Sequence, residues 1–393
     1  MSNDAIVIVN GARTPMGAFQ GALKDVSATD LGATAIKAAV ERAGVSAESV
    51  DEVIMGCILS AGLGQGPARQ AMRKAGLPDA TGAVTINKLC GSGLKAVMQA
   101  HDAIKAGSIN IAVAGGLESM TNAPYIMPSA RSGYRMGHKE VKDHMFLDGL
   151  EDAETGRLMG QFAQEMADEK GYTREQMDEF AIESVNRALT AIKDGHFKNE
   201  IEPVTYKTRK GEQTVDTDEE PGLANIERIP TLRPAFAKDG TITAANSSSI
   251  SDGAAAVVLM KESQAKSEGL DSQARIIASA SHSRHPSEFT IANIGSINEL
   301  LPKAGWSVED VDLWEINEAF AMVTMAAMDE LKIDPAKVNI EGGACALGHP
   351  VGCSGARILV TLINSLKRTG GKKGVAALCI GGGESVAVAI ELA

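Results

Sequence analysis

Apolar residues in this chain gather into short consecutive runs, separated by glycines and by stretches of helical period. Residues 5–9, 53–55, 83–86, 111–114, 311–316 and 375–378 each read as a strand. Runs that are apolar at successive positions suit strands buried on both faces and covered by helices, the pattern of a parallel or mixed α/β sheet. One helix is well marked. Thr173 and Gln176 fit a capping box, and Met177, Phe180, Ala181, Val185, Ala188, Leu189 and Ile192 trace one face before Gly195. No uncharged apolar run reaches the ~18 residues needed to span a bilayer. The acidic start Met1-Ser2-Asn3-Asp4 runs straight into the first strand and reads as part of the fold rather than a targeting segment.

The pattern occurs twice. Ala43-Gly44-Val45-Ser46-Ala47-Glu48-Ser49-Val50-Asp51 matches Ala304-Gly305-Trp306-Ser307-Val308-Glu309-Asp310-Val311-Asp312 at six of nine positions, 261 residues apart. Ser92-Gly93 and Ser354-Gly355, 262 apart, each open a helical stretch. Gly115-Gly116-Leu117-Glu118-Ser119 and Gly381-Gly382-Gly383-Glu384-Ser385, 266 apart, look like a third pair. That pairing would put Val113 where the second half has Cys379. The order indicates a duplicated core, each half reading strand, helix, strand, helix, strand. Residues 121–240 differ in character, being richer in charge, Met and Pro, and read as an insertion. The expected organisation is residues 1–120 plus 241–270 for the first half, 121–240 for the insertion and 271–393 for the second half. The excursion at 125–148, rich in Arg, Lys, His and Gly, has the length of a functional or partner-binding loop.

Composition narrows the function. At 393 residues the chain can bury a large core, and its net charge of −12 argues against nucleic acid or an anionic membrane as the main partner. Five cysteines without a Cys-x-x-Cys pair form no disulfide framework, and no zinc-type spacing appears, so no metal and a cytoplasmic location are expected. Cys57, after an apolar run, reads as a small core residue.

Three separated segments carry reactive side chains beside small residues. Cys90 lies in Asn87-Lys88-Leu89-Cys90-Gly91-Ser92-Gly93, where a strand gives way to a helix. A helix N-terminus favours thiolate, and the Cys90 amide can face an oxyanion. A structural cysteine in a tight turn fits the same context. His349 lies in a loop with Gly342, Gly343, Gly348 and Gly352, before Pro350, and can serve as a base. A solvated loop histidine fits as well. Cys379 precedes Gly381-Gly382-Gly383, whose amides can bind an oxyanion or a phosphate. Neither this loop nor Gly62-Leu63-Gly64-Gln65-Gly66 has dinucleotide-binding spacing. Asn317, in Asn317-Glu318-Ala319-Phe320-Ala321, can orient a water or cap a helix.

At these residues the chain resembles the thiolase family from Met1 to Ala393. The segments around Cys90, His349 and Cys379 match its three signatures. Asn317 to Ala321, Thr243-Ala244-Ala245-Asn246, Asp252-Gly253-Ala254-Ala255 and residues 115–120 are thiolase-like as well. The resemblance implies an α/β fold of two duplicated α/β/α/β/α halves with an inserted loop domain. It implies a reversible condensation of two acetyl-CoA into acetoacetyl-CoA plus CoA or, alternatively, broader 3-ketoacyl-CoA thiolysis in fatty-acid degradation. By resemblance, His349 activates Cys90 as the acyl carrier and Cys379 is the carbon base. One oxyanion site uses His349 with a water held by Asn317, the other the amides of Cys90 and Gly381. Coenzyme A would meet Met159, Arg228, Phe236, Ala244, Ser248, Ile250 and Phe320, with Arg228 as the phosphate candidate. The thioesters are substrates, so no cofactor is implied. Residues 125–148 resemble a tetramerisation loop, implying a homotetramer and at least a homodimer. A ketoacyl synthase of the same fold lacks the second cysteine, so Cys379 counts against it. Three departures stand out: Leu158 precedes Met159-Gly160 where many short-chain thiolases have His, Phe289-Thr290-Ile291-Ala292 replaces Met-Gly-x-Gly, and Glu384-Ser385 stands where the family has an uncharged residue and glycine.

Overall fold

A computed structural model describes residues 4–209 and 211–393; of the acidic start, the first three residues lie outside the described residues. The first half runs β1 (Ile6–Arg13), β2 (Gly17–Ala18), α1 (Ala28–Ala43), β3 (Glu52–Gly56), α2 (Pro67–Lys74), β4 (Gly82–Ile86), α3 (Ser92–Ala106) and β5 (Ala112–Ser119). Next come β6 (Tyr125–Ile126), β7 (Lys142–Asp143), α4 (Met159–Lys170), α5 (Arg174–Asp194), β8 (Val204–Thr208), β9 (Gly211–Val215) and α6 (Glu220–Leu223). β10 (Ser251–Lys261) and α7 (Glu262–Ser267) return to the first half. The second half holds β11 (Ala274–Ser283), α8 (Ala292–Ala304), β12 (Leu313–Ile316), α9 (Ala321–Leu331), α10 (Ala344–Leu347), α11 (Ser354–Thr369), β13 (Lys373–Ile380) and β14 (Glu384–Leu392).

The main sheet has the order β12-β13-β14-β11-β1-β10-β5-β3-β4, with β2 on β10. Within the sheet the halves join where Val7 and Ile8 of β1 meet Arg275 and Ala274 of β11. Alternation along the strands explains the layers. Ala254, Ala256, Val258 and Met260 face α1 and α2, while Val257 and Leu259 face α3 and α11. In the second half Val375, Ala377 and Cys379 face α8 and α9, while Ala376, Leu378 and Ile380 face α3 and α11. The five layers are therefore shared between the halves, with α3 and α11 forming the central one.

Strand register corrects one reading of the repeat. Glu52 pairs with Ala112, and the equivalent Leu313 pairs with Gly374. Ala112 thus corresponds to Gly374, an offset of 262, and Leu117 rather than Val113 stands in the place of Cys379. The opposite partners agree: Leu117 pairs with Ala254 and Cys379 with Ser385. Even the β-bulges coincide, between Ile8 and Asn10 and between Ile276 and Ala278. Gly115-Gly116 lie inside β5, whereas Gly381–Gly383 form the turn between β13 and β14. The letters match there, but the structure does not. In the first half the same connection, from Ser119 to Ser251, is opened to hold the insertion.

α5 carries the expected Thr173–Gln176 capping box and ends at Gly195, which has φ +75°. Leu189, expected on its apolar face, is instead exposed, because the helix packs through the narrower stripe Met177, Ala181, Val185 and Ala188. Arg13, fully buried at the end of β1, fastens the insertion to the core. It donates to Glu200 at 2.5 Å and to both oxygens of Asp218 at 2.6 and 2.8 Å. Thr361 of α11 donates to Glu200 as well, at 3.0 Å.

The N-terminal turns of α3 and α11 cross without side chains between them. A Cβ on Gly93 would stand 2.9 Å from the Ala356 nitrogen, and one on Gly355 only 2.4 Å from the Leu94 nitrogen. Gly→Ala in an open helix stabilises by about 0.5–1 kcal/mol. Here Gly355→Ala should instead destabilise by about 1–3 kcal/mol, because backbone must move apart. A lowered urea midpoint checks this sign.

Candidate active site

Cys90 sits one residue before Gly91, the N-cap of α3. Leu89 is held at φ +45°, a left-handed conformation that turns the chain sharply between strand and helix. Ser92 stabilises the turn from inside, accepting from the Lys88 amide at 2.8 Å and donating to the Leu89 carbonyl at 2.7 Å. Gly91 is required by packing, since a Cβ there would come within 2.3 Å of Ile380 Cδ1. The Cys90 thiol is pushed above its ordinary range by burial, opposed by the amides of Gly381 and of Cys90 itself. Against the expectation of a helix-stabilised thiolate, desolvation outweighs these amides and favours the thiol.

His349 follows α10, which is anchored through buried Glu318. Its carboxylate accepts from Asn339 Nδ2 and Ser184 Oγ, each at 2.8 Å, and from the Cys345 amide at 3.0 Å. His349 Nδ1 bonds to Ser354 Oγ, whose own hydrogen goes to the Pro350 carbonyl at 3.0 Å. With Ser354 donating to that carbonyl it accepts from Nδ1, which is the tautomer whose Nε2 presents a lone pair. Nε2 is buried with no protein partner. Burial first, and the Arg357 charge second, push His349 down to about 3, which keeps the ring neutral. It is not the solvated loop histidine that its glycine-rich context allowed.

Cys379, next to last in β13, is 1% exposed, and burial, aided by the nearby Cys90 sulfur, pushes its thiol well up. The Gly381 amide follows two residues on. Asn317 is also 1% exposed, and neither its Oδ1 nor its Nδ2 has a protein partner. It does not cap α9, whose N-cap is Phe320. Leaving such an amide unpaired costs about 1–3 kcal/mol, which a structural role would not justify.

Cys90, His349 and Gly381 open together onto a cavity of about 440 Å³, mostly apolar in lining. Of the seven residues expected to meet coenzyme A, Met159, Phe236, Ala244, Ser248, Ile250 and Phe320 line it. Arg228 does not; it is exposed, in a 3-10 turn at Ile226–Thr231. Residues 247–249 run over the second half. The Ser248 amide donates to the Ala319 carbonyl at 3.0 Å, and the His349 amide to the Ser249 carbonyl at 3.0 Å. Phe236 lies against Gly160, where a Cβ would come within 2.4 Å of its ring. Phe289 and Leu158, noted as departures, both line the cavity. Phe289 packs edge-on against Phe320 at 6.5 Å, and Phe320 against Phe236 at 6.0 Å.

Two supporting residues had no legible motif role. One is Ser354, which sets the His349 tautomer. The other is Glu118, fully buried in β5, which accepts from the amides of Ile58 and Leu59 at 3.0 Å and, across the halves, from the Gly352 amide at 2.9 Å. Burial raises Glu118 to about 7, against those same amides. Its segment, residues 115–120, was thiolase-like in the sequence, but nothing there pointed to Glu118 as a brace across the halves. Cys57 is a core thiol as expected, 2% exposed and pushed up by burial.

Known proteins resemble this chain along nearly its whole length. The family profile "Thiolase, N-terminal domain" matches residues 6–263 and "Thiolase, C-terminal domain" matches residues 270–392. An acetyl-CoA acetyltransferase of Pseudomonas aeruginosa is 49% identical, with 98% of each chain covered. One of Yarrowia lipolytica is 51% identical over 99% of this chain and 96% of its own. The crystal structure of the Bacillus anthracis acetyl-CoA acetyltransferase superposes with a TM-score of 0.97 at 42% identity, covering 99% of each chain. Acat5 thiolase from Ascaris suum, solved with coenzyme A, gives 0.94 at 41% identity over 99% of this chain and all of its own.

A histidine held neutral in the fold, but free to protonate when unfolded, costs stability as pH falls below its unfolded value near 6.5. Between pH 6.5 and 5 that loss through His349 should be about 2 kcal/mol. Urea midpoints at both pH values should show a shallower decline in His349→Asn than in the parent; parallel declines would refute the buried neutral ring.

Proposed function

The chain belongs to the thiolase family, and from that premise we propose that it is an acetyl-CoA C-acetyltransferase, joining two acetyl-CoA into acetoacetyl-CoA and CoA and running the reverse thiolysis. The observation that carries the reading is the meeting of Cys90, His349 and Gly381 in one apolar cavity, with buried Cys379 close enough to the Cys90 sulfur to feel it electrostatically. The thioesters are substrates, and the scheme calls for no cofactor or metal.

In this scheme His349 Nε2 takes the proton of Cys90 as its sulfur attacks the acetyl carbonyl. Both groups start neutral, so proton transfer accompanies attack rather than preceding it. The developing oxyanion is received by the amides of Cys90 and Gly381, the two groups that already favour negative charge on the Cys90 sulfur. CoA leaves as its sulfur takes the proton of the Cys379 thiol, which becomes a thiolate, while His349 keeps the proton of Cys90. The Cys379 thiolate then removes a methyl proton from a second acetyl-CoA. The resulting enolate oxygen is held by His349 and a water on Asn317, whose amide atoms have no protein partner. Enolate carbon attacks the acetyl-Cys90 carbonyl, the carbon–sulfur bond breaks, the Cys90 sulfur takes back the proton held by His349, and acetoacetyl-CoA forms. Met159, Phe236, Ala244, Ser248, Ile250 and Phe320 hold the pantetheine arm, and exposed Arg228 is left to meet the phosphates beyond the cavity.

The edge-to-face rings of Phe236, Phe289 and Phe320 shorten the acyl end of the cavity and favour the acetoacetyl substrate. The second reading, a 3-ketoacyl-CoA thiolase of broader range in fatty-acid degradation, draws on the apolar lining contributed by Phe146, Leu150 and Leu158. We also read the protein as a cytoplasmic homotetramer, at least a homodimer. Exposed Tyr125, Met127, Met136 and Val141 on the 125–148 excursion and the open edge strand β4, with Val84 exposed, support the association. Five free thiols suit a reducing compartment. No helix among the described residues is long and apolar enough to cross a membrane.

Thiolysis of acetoacetyl-CoA should outpace that of 3-ketohexadecanoyl-CoA; the reverse order would favour the second reading. Phe289→Ala should shift the ratio toward the longer substrate by about tenfold, the value of one or two methylenes' worth of pocket. Cys379→Ser should lose condensation by at least about 10²-fold while still accepting acetyl on Cys90. Normal condensation by that variant would remove Cys379 as the carbon base.

A further inference from the structure

The two amides that receive the acyl oxygen belong to different halves of the molecule, so their spacing depends on whatever holds the Cys90 loop against the Gly381 turn. Two contacts between these segments are apolar. Gly91 lies against Ile380 and Val386, and the Leu89 side chain comes within 3.5 Å of where a Gly381 Cβ would stand. The third is ionic. Lys88, two residues before Cys90, reaches Glu384, three residues after Gly381, with Nζ and Oε2 2.7 Å apart.

We propose that the Lys88–Glu384 ion pair is a positioning device that sets the distance between the Cys90 and Gly381 amides. The inference rests on the oxyanion role given to those amides above. Both ends of the pair are rigidly connected to the groups they would place. The Lys88 amide is pinned by Ser92 Oγ at 2.8 Å, and strained Leu89 alone separates it from Cys90. Glu384 opens β14 and pairs in register with Ile380, leaving only Gly381–Gly383 between them. Gly382 and Gly383 have φ of +82° and +86° and no side chains to stiffen the turn. A turn of this kind takes its shape from what holds its ends. The Gly383 carbonyl accepts from the Arg284 amide at 2.7 Å on one side, and the ion pair secures the other.

The arrangement also has a counterpart running the other way. Glu118, in the first half, holds the Gly352 amide of the His349 loop in the second. Glu384, in the second half, holds Lys88 of the nucleophile loop in the first. The two glutamates are not equivalent in the repeat, since Glu118 corresponds to Ile380 by strand register, but each half braces the other's reactive loop.

The pair is partly exposed, with side chains 21% and 40% accessible, so its removal should leave folding nearly intact. Lys88→Met and Glu384→Gln should each lower kcat for acetoacetyl-CoA thiolysis by about three- to tenfold, with KM within about twofold and the melting temperature within about 2 °C. The swapped variant Lys88→Glu/Glu384→Lys should recover kcat to within about twofold of the parent. Alkylation of Cys90 by iodoacetamide gives a readout that needs no thiolase reaction. It should slow in both single variants, which loosen the Gly381 amide from the sulfur, and recover in the swap. Unchanged kcat and alkylation in the single variants, or a swap no faster than they are, would overturn the proposal. A parent protein that fails to acetylate Cys90 would instead defeat the proposed reaction, and the alkylation rates would still decide whether the pair positions the loop.

Discussion

Everything in this site depends on two helices meeting end to end with nothing but backbone between them. α3 and α11 open with Ser-Gly at equivalent places in the repeat, and Gly93 and Gly355 let their first turns touch. Cys90 lies just before one helix and His349 five residues before Ser354 at the start of the other, so close approach of the turns is what brings thiol and imidazole to one cavity. Ser92 and Ser354 do matching work. Each donates to a carbonyl of its own loop, and each accepts from the group its loop must hold, the Lys88 amide in one case and His349 Nδ1 in the other. A methyl group at either glycine would push the halves of the site apart.

The same burial that joins the halves decides the protonation states. Desolvation raises both active-site thiols and lowers the histidine, so the resting site carries neutral groups despite the helix end beside Cys90. In the proposed reaction charge is created only where donors are already aimed to receive it, which is how a dry, preorganised pocket favours a transition state over its ground state. The charges that remain buried are structural. Arg13 with Glu200 and Asp218, and Glu318 with its three donors, fix the insertion and α10, and neither group opens onto the cavity.

The reactive residues were legible in the sequence because each sits in a glycine-rich segment whose composition serves no ordinary core. α5 was legible because its caps and period are local. What failed was long-range. The match of Gly115-Gly116-Leu117-Glu118-Ser119 with Gly381 to Ser385 is a likeness of letters between a strand and a turn, and only hydrogen-bond register shows the four-residue slip. The thiolate expected at Cys90 rested on the helix dipole, a local feature, whereas the opposing desolvation comes from the fold as a whole. Arg228 was carried over by position; it lies exposed outside the cavity, a place that leaves its phosphate role open to test. Glu118 and Ser354 were invisible as supports because their partners lie across the halves or depend on a tautomer.

With the register corrected, the division of labour between the halves remains. Leu117 occupies the place of Cys379 in the first half, and Gly352 the place of Cys90 in the second, so each half lacks the other's thiol. In the proposed reaction the first supplies the acyl carrier and the second supplies both bases. The most direct test is to quench the protein after mixing with labelled acetyl-CoA and to map the acetyl group by peptide mass spectrometry. The account predicts acetyl on Cys90 alone; acetyl on Cys379 would contradict it.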